Sequence, residues 1–307
     1  MQEIYDLIII GAGPAGLSAS IYASRYKLNH LLLGATIGGQ VSEIRQLENW
    51  PGDISVSGFD LLSRFVDHAK SLGVAPRNEA VVLVRKNGEN FFEVEAGKNV
   101  YQTKSIIMAM GTEYRKMNIP GEKELIGKGV SYCATCDAMF FRDKVVSVIG
   151  GGNSAVTAAL GLADFASKVY LIYRGDRFPA EPIWLEKLAN NPKIEAIKNT
   201  NIIEIKGEQK VEKVILDKAY NDKTYLETDG VFVEIGSDPG VELARQLGVE
   251  IDEQGYIKVN ADMSTNISGI FAAGDITTGS NKFRQIITAS AEGAVAANGA
   301  YRLLKLK

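Results

Sequence analysis

The chain has 307 residues, 46% hydrophobic and 23% charged, with a formal net charge of −3 at pH 7. At about 150 residues per domain, that length predicts two domains, and the composition excludes a largely disordered chain. The charge balance offers no basic surface for nucleic acid and no charged tail.

Residues 4–10 (I-Y-D-L-I-I-I) predict a buried parallel strand, followed at once by Gly11-Ala12-Gly13-Pro14-Ala15-Gly16 and a small-residue helix through Tyr26. The apolar part of this strand follows two acids, Glu3 and Asp6. It is far shorter than a signal h-region or the ~18 residues of a membrane span, and no later run approaches that length. A cytoplasmic protein with no membrane association is expected. A second strand returns at 30–33, and alternation at 80–84, 91–94 and 105–110 reads as β-structure ending in Ala109-Met110-Gly111. The grammar then repeats: a strand at 144–149, Gly150-Gly151-Gly152-Asn153-Ser154-Ala155, an Ala-rich helix through Ala166, and a strand at 168–173. Short strands follow at 202–205, 211–216 and 230–235, and a third glycine-bearing strand end spans 269–275.

Strand, glycine turn, helix, strand is the βαβ unit of a dinucleotide-binding fold. Breaker clusters at Asn118-Ile119-Pro120-Gly121 and Gly236-Ser237-Asp238-Pro239-Gly240 bracket the second copy. The expected fold is α/β, with two Rossmann-like, three-layer ββα domains, the second inserted into the first. Residues 1–114 and 241–307 are expected to form one discontinuous dinucleotide-binding domain, and 115–240 the second, inserted one.

In Gly11-x-Gly13-x-x-Gly16 the first glycine allows a tight turn, the second lets backbone approach a pyrophosphate, and the third lets helix and strand pack closely. The phosphates then meet the free N–H groups and dipole of the helix N-terminus. The acid expected at the end of the next strand is absent, since that strand ends in Gly34. In the second copy the strand ends Tyr173-Arg174-Gly175-Asp176-Arg177. An arginine there suits a 2′-phosphate and an acid suits a free ribose hydroxyl, and this segment offers both.

The two cysteines, Cys133 and Cys136, are too few for a secreted disulfide scaffold. Their C-x-x-C spacing lacks the second half of a structural zinc site, so no metal is expected. The two histidines, His30 and His68, read as surface or capping residues. A redox pair or two unremarkable thiols remain as readings of the cysteines. Two nucleotide sites in one chain imply a hydride relay from nicotinamide to flavin, for which the C-x-x-C is the natural acceptor.

With these pieces in hand, the chain resembles the low-molecular-weight thioredoxin reductases over nearly its whole length. The residues that carry the resemblance are the Gly11–Gly16 loop, Gly38-Gly39-Gln40, Glu48-Asn49-Trp50-Pro51-Gly52, Cys133-Ala134-Thr135-Cys136-Asp137, the Gly150–Ala155 loop, 269–275 and Arg284-Gln285. The resemblance implies that FAD lies over Gly11, Gly13, Pro14, Ala15 and Gly16. Gln40, Asn49 and Asp275 would hold its ribityl and flavin portions beside Gly39, Gly111 and Gly274, with Arg284 and Gln285 near the isoalloxazine. NADPH or NADH would bind at Gly150, Gly152, Asn153, Ser154 and Ala155, with Arg174 and Arg177 beyond. Cys136 would be the flavin-proximal thiol, Cys133 the thiol that attacks the partner disulfide, and Asp137 the general acid for the leaving thiolate. A thioredoxin or glutaredoxin-like substrate, a homodimer, and rotation about linkers near 112–116 and 237–240 are implied as well. From the residues alone, a carboxyl beside a dithiol can shuttle a proton if burial raises its pKa, and a turn cap is the alternative for Asp137.

One region departs from the family. NADPH-using members usually show H-R-R-x-x-x-R after the second nucleotide strand, where this chain has Tyr173-Arg174-Gly175-Asp176-Arg177-Phe178-Pro179. Only the first arginine is kept, Arg177 is extra, and Thr157-Ala158 stand where the family often has two acids. NADPH, NADH and a non-pyridine donor such as a ferredoxin therefore stay open. So do a flavoprotein dithiol oxidase and a non-enzymatic flavin-binding redox sensor.

Overall fold

A computed structural model describes residues 3–88 and 91–305. The chain divides into two compact units, one comprising residues 1–113 and 239–307 and the other residues 114–238. It crosses from one to the other between 113 and 114 and returns between 238 and 239.

The first unit is built on a five-stranded parallel sheet in the order Ile270–Ala272, Ile106–Met108, Leu7–Ile10, His30–Gly34, Arg77–Asn78. Side chains alternate across a strand, so one apolar run can serve two cores. Leu7, Ile9, Leu32 and Ile107 pack with the helices Pro14–Arg25, Gly58–Ser71 and Ile286–Lys305. Ile8, Ile10, Leu31, Leu33, Ile106 and Met108 pack on the opposite face against a second sheet of Ile4–Tyr5, Asn99–Thr103, Phe91–Ala96 and Val81–Asn87. The result is three layers, helices over a parallel sheet over a β-meander.

The single strand expected at 4–10 is two. Asp6 breaks it: its carboxylate accepts from the Asn29 backbone N–H (3.3 Å) and from Lys104 Nζ (2.8 Å). Ile4–Tyr5 then joins the meander beside Asn99–Thr103, while Leu7–Ile10 enters the central sheet. His30 also differs from expectation. It is 5% exposed in the central sheet, with Nε2 3.0 Å from Ser20 Oγ and Nδ1 3.1 Å from the Leu28 carbonyl, and burial holds its pKa below the usual histidine range. It is a satisfied core residue, whereas His68 is exposed in the last turn of the helix Gly58–Ser71.

The second unit repeats the architecture. Its parallel sheet runs Val130–Ser131, Gly230–Val233, Val145–Ile149, Lys168–Ile172, Ile194–Ile197. Val146, Val148, Val169, Leu171 and Phe232 face the helix side, and Ile149, Ile172, Val231 and Val233 face a three-stranded meander. That meander contains Lys223–Glu227, a strand with no clear periodicity in the sequence, paired antiparallel with Lys213–Tyr220. Among the described residues, no helix is long and apolar enough to cross a membrane.

Candidate active site: two glycine loops and a cysteine pair

In the first unit, Gly11 follows the strand Leu7–Ile10 with φ +111°, and a Cβ there would lie 2.1 Å from the Ala109 carbonyl oxygen. Only glycine passes this point. A Cβ on Gly16 would lie 1.7 Å from the Gly11 carbonyl oxygen, so helix and loop touch backbone to backbone. Gly13, by contrast, has nothing within 4 Å of its Cβ position, and the helix Pro14–Arg25 begins with no side-chain cap. Close packing at the first and third glycines and open space at the second is the cradle a pyrophosphate needs.

Other expected residues gather around this loop. Gly38 N–H donates to the Ala12 carbonyl (2.8 Å), and the Cβ position of Gly39 is 3.4 Å from Gly13 Cα. Gly274 (φ +83°) has its Cβ position 3.0 Å from Ala15 Cβ. Gln40 Nε2 donates to the Thr112 carbonyl at 2.7 Å, beside Gly111 in the chain. Asn49 Nδ2 donates to Gln285 Oε1 at 3.0 Å, joining residues 236 apart. Arg284 donates to the Tyr256 hydroxyl at 3.0 Å.

Burial pushes the Asp275 carboxyl up to about 6, against the pull of the Arg284 guanidinium and with a further push from the Glu292 carboxylate. Glu292, 5% exposed, accepts from the Gly274 N–H (2.8 Å) and the Thr277 hydroxyl (2.9 Å), and so holds the loop that carries Asp275. Tyr256 and Glu292 are absent from the sequence-based set. The signal for Glu292 is a lone acid in the small-residue helix 289–297 (A-S-A-E-G-A-V-A-A).

The second unit carries the same loop with one position refilled. Gly150 has φ +141° and a Cβ position 2.1 Å from the Glu234 carbonyl oxygen, and Gly152 is open, with nothing within 4 Å. The helix Asn153–Ala163 starts without a side-chain cap, and buried Ala155 stands where the first loop has Gly16. The Asn153 side chain is held on both atoms by Glu181: Nδ2 donates to Oε1 (2.9 Å) and Oδ1 accepts from the Glu181 N–H (2.8 Å). Ser154, Arg174 and Arg177 are exposed.

Cys133 and Cys136 form a disulfide with their Cα atoms 5.4 Å apart. The pair follows the edge strand Val130–Ser131, where the Cys133 N–H donates to Ser131 Oγ at 3.1 Å. Upstream, buried Glu122 (3% exposed) accepts from the Tyr132 hydroxyl at 2.7 Å and from the backbone N–H groups of Met117 and Asn118. Burial and that carboxylate raise the Tyr132 phenol pKa. Glu122 and Tyr132 thus anchor the segment that enters the cysteines, and no spacing in the sequence marks them. The Cys136 backbone N–H donates to Cys133 Sγ at 3.2 Å, a contact that favours negative charge on that sulfur. Cys133 is half-buried and Cys136 exposed. The half-buried Asp137 carboxylate takes part in no hydrogen bond or ion pair among the described residues, so the turn-cap alternative fails and the group is uncommitted.

A three-layer fold holding two glycine loops and one half-buried disulfide defines a two-nucleotide oxidoreductase with a dithiol centre. The comparisons with known proteins place it further. Residues 5–293 match the family described as pyridine nucleotide-disulphide oxidoreductase. The chain is 42% identical to thioredoxin reductase of Bacillus subtilis (strain 168) over 299 residues, 96% of this chain and 93% of that one. It is likewise 42% identical to thioredoxin reductase of Treponema pallidum (strain Nichols), over 98% and 97% of the two chains. The solved structure of Lactococcus lactis thioredoxin reductase matches with a TM-score of 0.93 at 38% identity, covering 99% of this chain and all of the other. The chain belongs to the pyridine nucleotide-disulphide oxidoreductase family, among its low-molecular-weight thioredoxin reductases, and membership implies use of a flavin and a pyridine nucleotide.

Proposed function

We propose that the chain is a cytoplasmic, homodimeric thioredoxin reductase that reduces the disulfide of a thioredoxin or glutaredoxin-like protein. FAD is held at Gly11, Gly13, Pro14, Ala15, Gly16, Gly39, Gln40, Asn49, Gly111, Gly274, Asp275, Arg284 and Gln285. The reduced pyridine nucleotide is held at Gly150, Gly152, Asn153, Ser154, Ala155, Arg174 and Arg177. When bound, the flavin supplies two-electron transfer from nicotinamide to a disulfide.

The chain's own chemistry follows from the cysteine segment. Two electrons break the Cys133–Cys136 bond and leave two sulfurs with one proton between them. Cys133, whose Sγ accepts the Cys136 N–H, carries the thiolate and attacks a sulfur of the partner disulfide. That bond breaks, and the departing thiolate takes a proton from Asp137. Cys136 then attacks Cys133 Sγ in the mixed disulfide as its proton passes to the partner's second sulfur, which re-forms the internal bond and releases the partner as a dithiol. Asp137 suits the acid role because its carboxylate is half-buried, next in sequence to Cys136 and engaged with nothing else among the described residues.

The observation that carries this reading is the disulfide itself, on a turn anchored by Ser131, Tyr132 and Glu122. Cys133→Ser tests it. Flavin reduction by the nucleotide donor should persist while disulfide turnover falls by about 10³-fold or more. Turnover retained in that variant refutes the assignment.

A further inference from the structure

The end of the second strand of a dinucleotide fold is where the ribose 2′-group is recognised, by an acid for a free hydroxyl or by arginine for a phosphate. Here that place is filled by an aromatic ring. Tyr173 follows the strand Lys168–Ile172, and its backbone is fixed on both sides: its N–H donates to the Ile197 carbonyl (2.8 Å) and its carbonyl accepts from Thr200 N–H (3.2 Å). Gly175 is fixed as well, its carbonyl accepting from Asn199 N–H at 3.0 Å.

The ring packs against two glycines. A Cβ on Gly151 would lie 2.5 Å from Tyr173 Cδ2, and a Cβ on Gly175 would lie 2.6 Å from Tyr173 Cε1 and 3.1 Å from its hydroxyl. Neither glycine has a left-handed φ, so a positive φ is not what calls for glycine there. With the ring in this position, a side chain at either glycine would collide with it. Phe178 closes the other side, 5.5 Å centroid to centroid, and Lys198 lies over Phe178 at 5.4 Å.

The consequence is electrostatic. An arginine at 175 begins with a Cβ inside the ring's van der Waals envelope, so the tyrosine and a cation at 175 exclude each other. Position 179 is proline and supplies no cation either. Arg174 and Arg177 remain, exposed, with Asp176 exposed between them, so the segment 174–177 carries a net single positive charge. A phosphate dianion is held selectively by guanidinium forks, and positions 175 and 179 supply none here.

We propose that Tyr173 is a specificity-determining residue: seated on Gly151 and Gly175, it displaces the cation that would hold a 2′-phosphate, so the loop takes a dinucleotide with a free 2′-hydroxyl at least as readily as a 2′-phosphorylated one. The proposal rests on the reading of the Gly150–Ala155 loop as the nucleotide site and adds that NADH serves there at least as readily as NADPH.

Titration calorimetry of the flavin-loaded protein with 5′-AMP and with adenosine 2′,5′-bisphosphate tests it without turnover. The wild-type protein should bind the two within about threefold of each other. Gly175→Arg alone should leave that ratio in place, because the ring still blocks the side chain. Tyr173→His with Gly175→Arg should tighten the bisphosphate by about tenfold or more and leave 5′-AMP unchanged. A wild-type preference of about tenfold for the bisphosphate overturns the proposal, as does an equal gain from Gly175→Arg alone. If the wild-type protein binds neither ligand, the proposal falls together with the nucleotide reading of the loop. Cys133-dependent turnover by dithionite-reduced protein then shows whether the dithiol chemistry stands on its own.

Discussion

The two glycine loops of this chain solve one packing problem with opposite fillings. Ile10 pairs with Leu33 in one sheet and Ile149 with Ile172 in the other, so Gly34 and Tyr173 occupy matching positions just past the second strand. In the first unit the loop's second residue is Ala12, and its Cβ lies 2.7 Å from where a Cβ on Gly34 would be. In the second unit the small residue is in the loop, Gly151, and the large one is at the strand end, Tyr173. Strand, turn and helix are shared because backbone geometry requires them. The strand-end residue is free to vary, and that freedom is where the two sites part in what they recognise.

The comparison breaks most sharply at the third loop position. Gly16→Val places side-chain carbons on the Gly11 carbonyl oxygen, already 1.7 Å from a Cβ, and should cost about 3 kcal/mol or more in denaturant unfolding, with loss of flavin. The matching Ala155→Gly should cost only about 1 kcal/mol, the penalty of a glycine in a helix. Equal effects would mean that the two loops do not differ in packing at this position.

At the second loop position the two units are alike. Gly13→Ala and Gly152→Ala both point into open space, so each should change stability by less than about 0.5 kcal/mol. Gly13→Ala should nonetheless weaken flavin retention, and Gly152→Ala should weaken adenosine binding, each by about tenfold or more, readable by flavin release and by calorimetry.

A pH-dependent effect concerns Asp275 in the first unit. Its folded pKa of about 6 lies above the ordinary carboxylate value of about 4. The folded state therefore binds this proton more tightly, and the associated stability is full at low pH and lost as pH rises from about 4 through about 6. Flavin-free Asp275→Asn should exceed the flavin-free wild type by roughly 1–3 kcal/mol above that window and match it below. A difference of the same size at both ends would assign the effect to something other than titration.

Much of this was legible in the sequence, for identifiable reasons. A run such as I-Y-D-L-I-I-I followed by glycines constrains backbone geometry directly, so both βαβ units and the inserted topology could be read from short stretches. The cysteine pair was legible because spacing and scarcity excluded most alternatives. Buried polar anchors were not: Glu122, Tyr132 and Glu292 act through long-range contacts that spacing does not encode. Nor is His30 legible as a core residue, because a buried histidine needs Ser20 and the Leu28 carbonyl, which meet it only in the folded unit. The break at Asp6 was hidden because one apolar run feeds two sheets. Gly175 looked like a lost arginine, and only the ring of Tyr173 gives it a physical cause.

The most direct test of the whole relay is an anaerobic titration of the flavin-loaded protein with NADH and with NADPH, followed by oxidised thioredoxin. The account predicts that NADH bleaches the flavin absorbance at least as readily as NADPH, and that thioredoxin restores it only when Cys133 and Cys136 are both present. Failure of both nucleotides to bleach the flavin, bleaching by NADPH far more readily than by NADH, or restoration by thioredoxin in Cys133→Ser, would contradict it.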